Sequence, residues 1–183
     1  LLFATGASAQ TYFEDDFSTA ITTNWTLVDS DGDGKNWLRP LDLNGAIVET
    51  ATSKSFDANN ALTPDNWMIS KAIDLTSASG ITMFNWSVIA QDQDWPDENY
   101  SVYVGTSNDV TDFLADGAEF NEIIGYTNGE WRQRSIDVSS FHGSTIYVAF
   151  RHHDVTDEFW INIDDVSVLK VPDNDLSLDG LRL

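Results

Sequence analysis

Short runs in which apolar and polar residues alternate constrain the fold of this chain more than any other feature. Ile146, Val148 and Phe150 alternate in one such run, and Gly, Asn, Asp and Ser separate the runs. A period of two is typical of half-buried strands. The stretch 81–90 is apolar at both parities, which predicts a central strand covered on both faces. Further strands are predicted at 25–28, 67–69, 100–105, 123–126, 145–151 and 159–169.

Helical periodicity is nearly absent from the sequence. One short helix is predicted at 109–115, with Ser107 or Asn108 as its N-cap. Many short strands without long helices favour an antiparallel β-sandwich. The sequence therefore predicts an all-β fold, an antiparallel jelly-roll β-sandwich with at most one short helix.

The charge of the chain excludes two classes of partner. The 183 residues include 9 basic and 30 acidic residues, which gives a formal net charge of −21. Such a chain repels nucleic acid and anionic membrane surfaces. A hydrophobic fraction of 42% is nevertheless too high for a disordered acidic tail, and it predicts one compact domain.

The two termini differ in composition from the middle of the chain. Residues 1–9 are apolar and end in a small-x-small pattern, so they are interpreted as the remnant of a signal peptide on a fragment that begins inside it. Residues 10–169 form the predicted jelly-roll domain, and 170–183 a linker to a downstream domain. With no cysteine and no other stretch long enough to span a membrane, we expect a secreted or cell-surface bacterial protein without membrane insertion.

An acidic segment has the D-x-D-x-D-G form of a calcium loop. Asp29, Asp31 and Asp33 alternate, and Gly34 allows a sharp turn. Hard carboxylate oxygens at this density favour Ca²⁺. The segment is not an EF-hand, because Pro40 stands where the twelfth-position Glu would be. The alternative interpretation is a solvated turn without an ion.

The last predicted strand changes its apolar face at two adjacent aspartates. Ile163 has one parity and Val166 the other, which predicts a β-bulge at Asp164 and Asp165. Charges in an apolar strand require compensation. A metal ion or Arg151 is expected to provide it, unless the strand lies at the surface edge of its sheet.

Catalytic chemistry has little support in the sequence. His152 and His153 are adjacent on a predicted strand, so their rings point to opposite faces and are not expected to share a zinc ion. The chain has neither a G-x-S-x-G elbow nor a strand pattern that would pair two glycosidase carboxylates on one face. We therefore expect no enzymatic activity in this chain.

Two tryptophans lie in predicted loops or strand ends rather than in strands. Trp95 follows Asp94, and Trp131 follows a turn at 128–130. Exposed aromatic rings of this kind bind sugar rings or anchor a protein partner, so Trp95, Asp94 and Trp131 are candidate ligand-binding residues. The other tryptophans occur in strand contexts and are predicted to pack inside: Trp25, Trp37, Trp67, Trp86 and Trp160.

Several segments, in order along residues 12–169, resemble one protein family. The most specific are Asp65-Asn66-Trp67 with Ile69-Ser70, and Phe159-Trp160 with Asn162-Ile163-Asp164-Asp165-Val166. They are similar to the cleaved-adhesin modules of gingipains and haemagglutinins, also called choice-of-anchor J domains. The resemblance implies a jelly roll with structural calcium, a non-catalytic module of large secreted or cell-surface bacterial proteins.

The resemblance also implies a set of metal ligands. Glu14, in an acidic group with Asp16, would meet Asp164 or Asp165 at one Ca²⁺ and so join the two ends of the domain. The aspartates of the D-x-D-x-D-G segment would contribute to this site or to a neighbouring one.

The sequence thus predicts a calcium-stabilised adhesion module, monomeric within a multidomain chain, that binds an extracellular protein or glycan. The alternatives are a carbohydrate-binding module accessory to a secreted hydrolase or peptidase, and a spacer that binds nothing.

Overall fold

The computed structural model describes residues 10–42 and 44–172. The proposed signal remnant at 1–9, and residues 173–183 of the proposed linker, lie outside the described residues. No helix in the described part of the chain is both long enough and apolar enough to cross a membrane.

The described residues form thirteen strands and one α-helix. The helix, α1, is Val110–Asp116, and short 3₁₀ turns occur at Ile21–Thr23 and Ser139–Phe141. The strands in chain order are β1 Thr11–Asp15, β2 Trp25–Asp29, β3 Ala51–Lys54, β4 Phe56–Asp57, β5 Asn60–Ala61, β6 Asn66–Ser70, β7 Ile73–Asp74, β8 Thr82–Ala90, β9 Asn99–Gly105, β10 Phe120–Ile123, β11 Arg132–Asp137, β12 Thr145–His152 and β13 Trp160–Lys170.

Two antiparallel sheets contain all but the small β4–β5 hairpin. One has the order β1-β13-β8-β11, with β3 also paired to β13, and the other has the order β10-β9-β12-β6-β2, with β7 paired to β12. The chain crosses between the sheets repeatedly, as in β8 to β9 and β11 to β12 to β13. The predicted antiparallel jelly-roll β-sandwich with one short helix is confirmed.

Aromatic side chains fill the space between the sheets. Trp25, Phe84, Trp86 and Phe150 are buried, and their ring centroids lie 5.2–5.9 Å apart where they touch. A smaller apolar cluster, on the second sheet, is formed where Phe113 of α1 packs on Trp67 and Tyr103. Trp37 is also buried, whereas Trp160 is half-buried, so the predicted core tryptophans are confirmed except that Trp160 is less enclosed.

The predicted bulge on the last strand is present. The pairing of β13 with β8 shifts register between Asp164 and Ser167, and Asp165 has a φ of 49°. The bulge lies where β13 changes its other neighbour: β3 pairs with 160–163, and β1 pairs with 166–169. Because β13 is enclosed by strands on both sides, the alternative of a surface edge strand is excluded.

Several element boundaries differ by one residue from the sequence prediction, and two further differences have a local cause. The strand expected at 123–126 is Phe120–Ile123, because the amide of Ile124 turns to the carbonyl of Glu98 and Gly125 has a φ of 67°. The helix N-cap is Asp109, whose Oδ1 accepts the amide hydrogen of Thr111 at 2.7 Å. Ser107 instead accepts from the amide of Asp109 and so stabilises the turn before the cap.

Candidate functional site

The acidic loop after β2 brings three carboxylates together. Oxygen atoms of Asp29, Asp31 and Asp33 lie within 4.8 Å of one another, and this is the one such group of three or more acidic, His or Cys side chains in the described residues. Gly32 and Gly34 have φ values of 74° and 79°, which a side chain would strain, and so permit the tight turn. The loop therefore presents its carboxylates toward one point.

In this loop, hydrogen bonds lower the pKa of Asp29, whereas burial and mutual repulsion raise the pKa of Asp31. Partial desolvation opposes ionisation of Asp29, but the amides of Gly32 and Gly34, at 2.7 and 2.9 Å from its two oxygens, hold its pKa below the ordinary value. Burial raises the pKa of Asp31, and Asp33 and Asp29 raise it further. Negative charge at Asp31 is thus poorly compensated by the protein alone, as is expected of a residue that can hold a cation.

A second acidic group lies in a cleft beside the bulge. Glu14, Asp16 and Asp165 line a cleft of about 620 Å³ between β1 and β13. Burial raises the pKa of Asp164 to about 6, and repulsion from Asp165, Asp16 and Asp15 adds to the shift. Glu14, Asp16 and Asp165 line the cleft whereas Asp164 does not, and no three of these carboxylates converge within 4.8 Å. The cleft thus gathers the residues expected to join the two ends of the domain, without the close grouping seen in the acidic loop.

The two acidic groups lie at opposite ends of β2. Asp15 accepts hydrogen bonds from the side chains of Asn24 and Trp25, at 3.1 and 2.7 Å, where β2 begins. Asp29 ends the same strand. At about 3.4 Å per residue, the strand separates the two groups by roughly 13 Å, which is too far for both groups to bind one ion.

Arg151 does not compensate the bulge aspartates, and that expectation is wrong. Its Nε and Nη2 donate to Asp65 Oδ1 and Oδ2 at 2.7 and 2.8 Å, and its guanidinium lies 5.1 Å from the Trp67 ring centroid. Arg151 lies on β12 of the second sheet, whereas the bulge is on β13 of the first. The Asp65 amide also donates to Asp31 Oδ1 at 3.3 Å, so this ion pair supports the acidic loop instead.

Replacing Asp65 with Asn should destabilise the fold, and the size of this loss should depend on pH. The hydrogen bonds from Arg151 hold the pKa of Asp65 below its ordinary value of 3.8. A carboxyl group with a lowered folded-state pKa stabilises the fold above pH 4 and loses that contribution as the pH falls. We expect Asp65→Asn to lower the free energy of unfolding by about 1–2 kcal/mol at pH 7, allowing for partial exposure. In urea unfolding at pH 3 the difference should shrink, whereas Asp116→Asn on the exposed end of α1 should match the parent at both pH values.

The two adjacent histidines have separate partners. His152 is fully buried, with Nε2 2.8 Å from Glu98 Oε2 and Nδ1 2.8 Å from Ser53 Oγ. His153 Nε2 lies 2.8 Å from Ser101 Oγ, and its Nδ1 lies 2.9 Å from Asp154. The two rings are directed to different partners, and β12 ends at His152, so His153 lies just beyond the strand.

The Ser53–His152–Glu98 chain of hydrogen bonds has the connectivity of a hydrolase triad. All three side chains have zero solvent exposure, and Glu98 Oε1 also accepts from the Ser55 hydroxyl and the Phe159 amide at 2.8 Å. A substrate cannot reach a serine enclosed in this way. The network instead joins β3, β12 and the segments that precede β9 and β13.

The predicted aromatic residues are exposed in neighbouring loops. Trp95 is 54% exposed and Trp131 is 42% exposed. The loops are linked, because Thr127 donates to Gln93 Oε1 at 2.8 Å. Neither Trp131 nor Asp94 lines the pocket that contains Trp95. The amide of Asp94 instead donates to Asp92 Oδ1 in an Asx turn.

The pocket beside Trp95 contains residues that the sequence prediction did not select. It has a volume of about 360 Å³ and is lined by Phe56, Asp92, Trp95, Asp157, Glu158 and Phe159. The sequence shows the acidic runs at 92–98 and 154–158, but it does not show that the fold brings them together. The pocket and the acidic loop both lie in a region that we term the loop end of the sandwich, which consists of residues 29–37, 54–65, 91–98 and 153–159. The Lys35–Asp57 salt bridge and the Asp97–Glu158 hydrogen bond link segments of this region.

These features define a small antiparallel β-sandwich module with acidic and aromatic loops gathered at one end. The Cleaved Adhesin Domain family model matches residues 10–168, and the chain belongs to that family.

Known relatives agree with this membership. Gingipain R1 from Porphyromonas gingivalis is 34% identical over 178 residues, which cover 86% of this chain and 10% of the relative. The chain thus spans about a tenth of the length of that relative. The crystal structure of the K3 cleaved adhesin domain of Lys-gingipain from P. gingivalis W83 has a TM-score of 0.74 and 28% identity, and covers 90% of this chain and 100% of that chain.

A carbohydrate-binding module shares the fold alone. The structure of TmCBM61 in complex with β-1,4-galactotriose has a TM-score of 0.53 at 10% identity, and covers 88% of this chain and 99% of that chain.

Proposed function

We propose that the chain is a non-catalytic, calcium-stabilised adhesion module of a larger secreted or cell-surface bacterial protein, and that it binds an extracellular protein through the loop end. The observation that carries this proposal is the half-exposed Trp95 at the mouth of a pocket, in a family whose description is that of an adhesin domain. Exposed aromatic rings beside a pocket are typical anchors of protein interfaces. The full burial of Ser53, His152 and Glu98 supports the non-catalytic part of the proposal.

Calcium fits the acidic loop on the chemistry of its donors. Ca²⁺ takes six to eight oxygen ligands, and three convergent carboxylates together with loop carbonyls and water can supply them. Asp33 Oδ1 accepts one amide hydrogen from Lys35, and within residues 10–42 and 44–172 its other oxygen accepts no such hydrogen. Asp29, Asp31 and Asp33 would hold the ion, which would supply positive charge where Asp31 is poorly compensated. To form a second site, Glu14 of β1 and Asp16 just after it would need to approach Asp164 or Asp165 of β13.

A carbohydrate-binding function is the second candidate. Sugars pack their C–H faces on exposed aromatic rings, and Trp95 and Trp131 both offer such a surface. Under this alternative the module would serve a secreted hydrolase or peptidase.

Replacing Trp95 with alanine should weaken partner binding by at least about thirty-fold, because buried aromatic anchors contribute 2 kcal/mol or more. The purified chain is tested on immobilised extracellular matrix proteins and on a glycan array. We expect binding to proteins, with blank glycan arrays, and Leu114→Ala on exposed α1 should bind like the parent. Glycan binding that is lost in Trp95→Ala would support the carbohydrate alternative, and no binding to either panel would leave only the spacer.

A further inference from the structure

The pocket beside Trp95 combines aromatic walls with unpaired negative charge. Three of its lining residues are aromatic and three are acidic, and none of them is Lys, Arg or His: Phe56, Trp95 and Phe159, with Asp92, Asp157 and Glu158. Its volume of about 360 Å³ is at the small end of the range for ligand pockets and is large enough for one side chain.

The walls of the pocket are fixed by the fold. Phe159 stacks on Trp160 with ring centroids 4.8 Å apart and an interplanar angle of 4°. The carbonyl of Phe159 accepts from the amides of Ser55 and Phe56 at 3.0 and 3.3 Å, which ties the two phenylalanine walls together. Trp95 also lines the pocket, and its side chain is 54% exposed. Because backbone hydrogen bonds hold Phe56 and Phe159 in place, binding would have to order few further side chains of the pocket.

The carboxylates of the pocket lack a positive partner within it. In the described residues, the salt bridges of Lys and Arg are with Asp57, Asp65 and Glu122. Burial raises the pKa of Glu158, and Asp97, Glu98 and Asp157 raise it further despite a hydrogen bond from the Asp97 amide. A cation entering the pocket would relieve this repulsion.

The same chain contains a matching example next to the pocket. Lys54 Nζ lies 4.1 Å from the Trp160 ring centroid and 2.9 Å from Asp57 Oδ1. An ammonium group is thus held between an aromatic face and a carboxylate, which is the combination that the pocket offers. Lys54 is engaged with Asp57 and does not line the pocket.

We propose that this pocket receives a Lys or Arg side chain of the extracellular protein to which the module adheres, an inference that rests on the proposed adhesion function. The side chain would place its aliphatic stem against Phe56 and Phe159, and its charged group would face Trp95 and the carboxylates. The lining carboxylates accept hydrogen bonds and carry charge, so they favour a cationic donor over a neutral sugar. The net charge of −21 also favours association with basic partners.

The test uses the full 183-residue chain, labelled with ¹⁵N, and the peptide acetyl-Gly-Arg-Gly-amide. We expect fast-exchange shifts of the amide signals at 91–98 and 154–160 that saturate in the millimolar range and weaken with added NaCl. The same peptide with citrulline, which keeps the shape but not the charge, should bind at least about tenfold more weakly. Trp95→Ala and Glu158→Gln should each reduce the affinity for the Arg peptide by about tenfold, whereas Tyr126→Ala, exposed on another loop, should not.

Other outcomes would overturn the proposal. Equal binding of the citrulline peptide would exclude a cation site. Shifts of these signals with β-1,4-galactotriose but not with the Arg peptide would make the pocket a glycan site, and shifts with CaCl₂ alone would make it a metal site. If matrix proteins bind Glu158→Gln as tightly as the parent, this inference fails while the adhesion function stands. If the parent binds no extracellular protein at all, the proposed function itself fails.

Discussion

Replacing Glu98 with alanine is expected to lower the free energy of unfolding by about 3–5 kcal/mol, because it breaks a fully buried network of hydrogen bonds. Glu98 has zero exposure and accepts from His152, Ser55 and the amide of Phe159. Without the carboxylate, these buried donors have no partner and a cavity remains. For a chain of this size we expect the melting temperature to fall by about 6–20 °C.

The measurement is thermal and urea unfolding followed by tryptophan fluorescence. Glu119→Ala is the matched control, because this glutamate is exposed, and its unfolding should match the parent. Glu98→Gln retains two acceptor sites on its amide oxygen and should fall between the parent and Glu98→Ala. If Glu98→Ala and Glu119→Ala unfold alike, the network does not stabilise the sandwich.

Chelating calcium with EDTA is expected to lower the melting temperature by about 5–10 °C. An ion present at a hundred times its dissociation constant stabilises the folded state by about 2.7 kcal/mol. In a domain of this size each kcal/mol corresponds to about 2–4 °C. Adding CaCl₂ should restore the original melting temperature, whereas MgCl₂ should not, because Mg²⁺ demands a smaller octahedral site.

Two variants locate the calcium effect. The double variant Asp31→Asn with Asp33→Asn should melt at the same temperature with and without EDTA, since the convergent loop loses two of its carboxylates. Asp116→Asn changes the net charge by one unit away from the loop and should keep the full response. If the melting temperature of the double variant still falls with EDTA, the ion would instead be assigned to the cleft beside β1 and β13. An unchanged parent melting curve, with no metal found by elemental analysis, would contradict the calcium claim.

The strands that were predictable are those with a local apolar pattern, either alternating as in β12 or apolar at both parities as in β8. β8 and β12 bury regular apolar sets, and the bulge in β13 follows from a change of parity at Asp164. β3 gave no signal, because it buries Thr52 and Ser53 through hydrogen bonds to Asn162 and His152, more than ninety positions away. Hydrogen bonds of this range satisfy buried polar groups but leave no local pattern.

The polar partners at the candidate site were harder to predict for the same reason. Arg151 pairs with Asp65, 86 positions away, because β6 lies beside β12 in the second sheet. The sequence predicted that Arg151 would compensate the nearby Asp164 and Asp165, which lie in the other sheet. The acidic loop, by contrast, depends on spacing within six residues, and its convergence could be predicted from Asp29 to Gly34.

The location of the bound partner tests the account most directly. Amide exchange or ¹⁵N chemical-shift mapping of the full chain, with and without an adhering matrix protein fragment, shows which surface is covered. We expect protection at 91–98 and 153–159 in the loop end, with the outer surface of α1 unchanged. A footprint centred on Val110–Asp116, or on the cleft beside Glu14 and Asp165, would contradict the conclusion that this module adheres through its loop end.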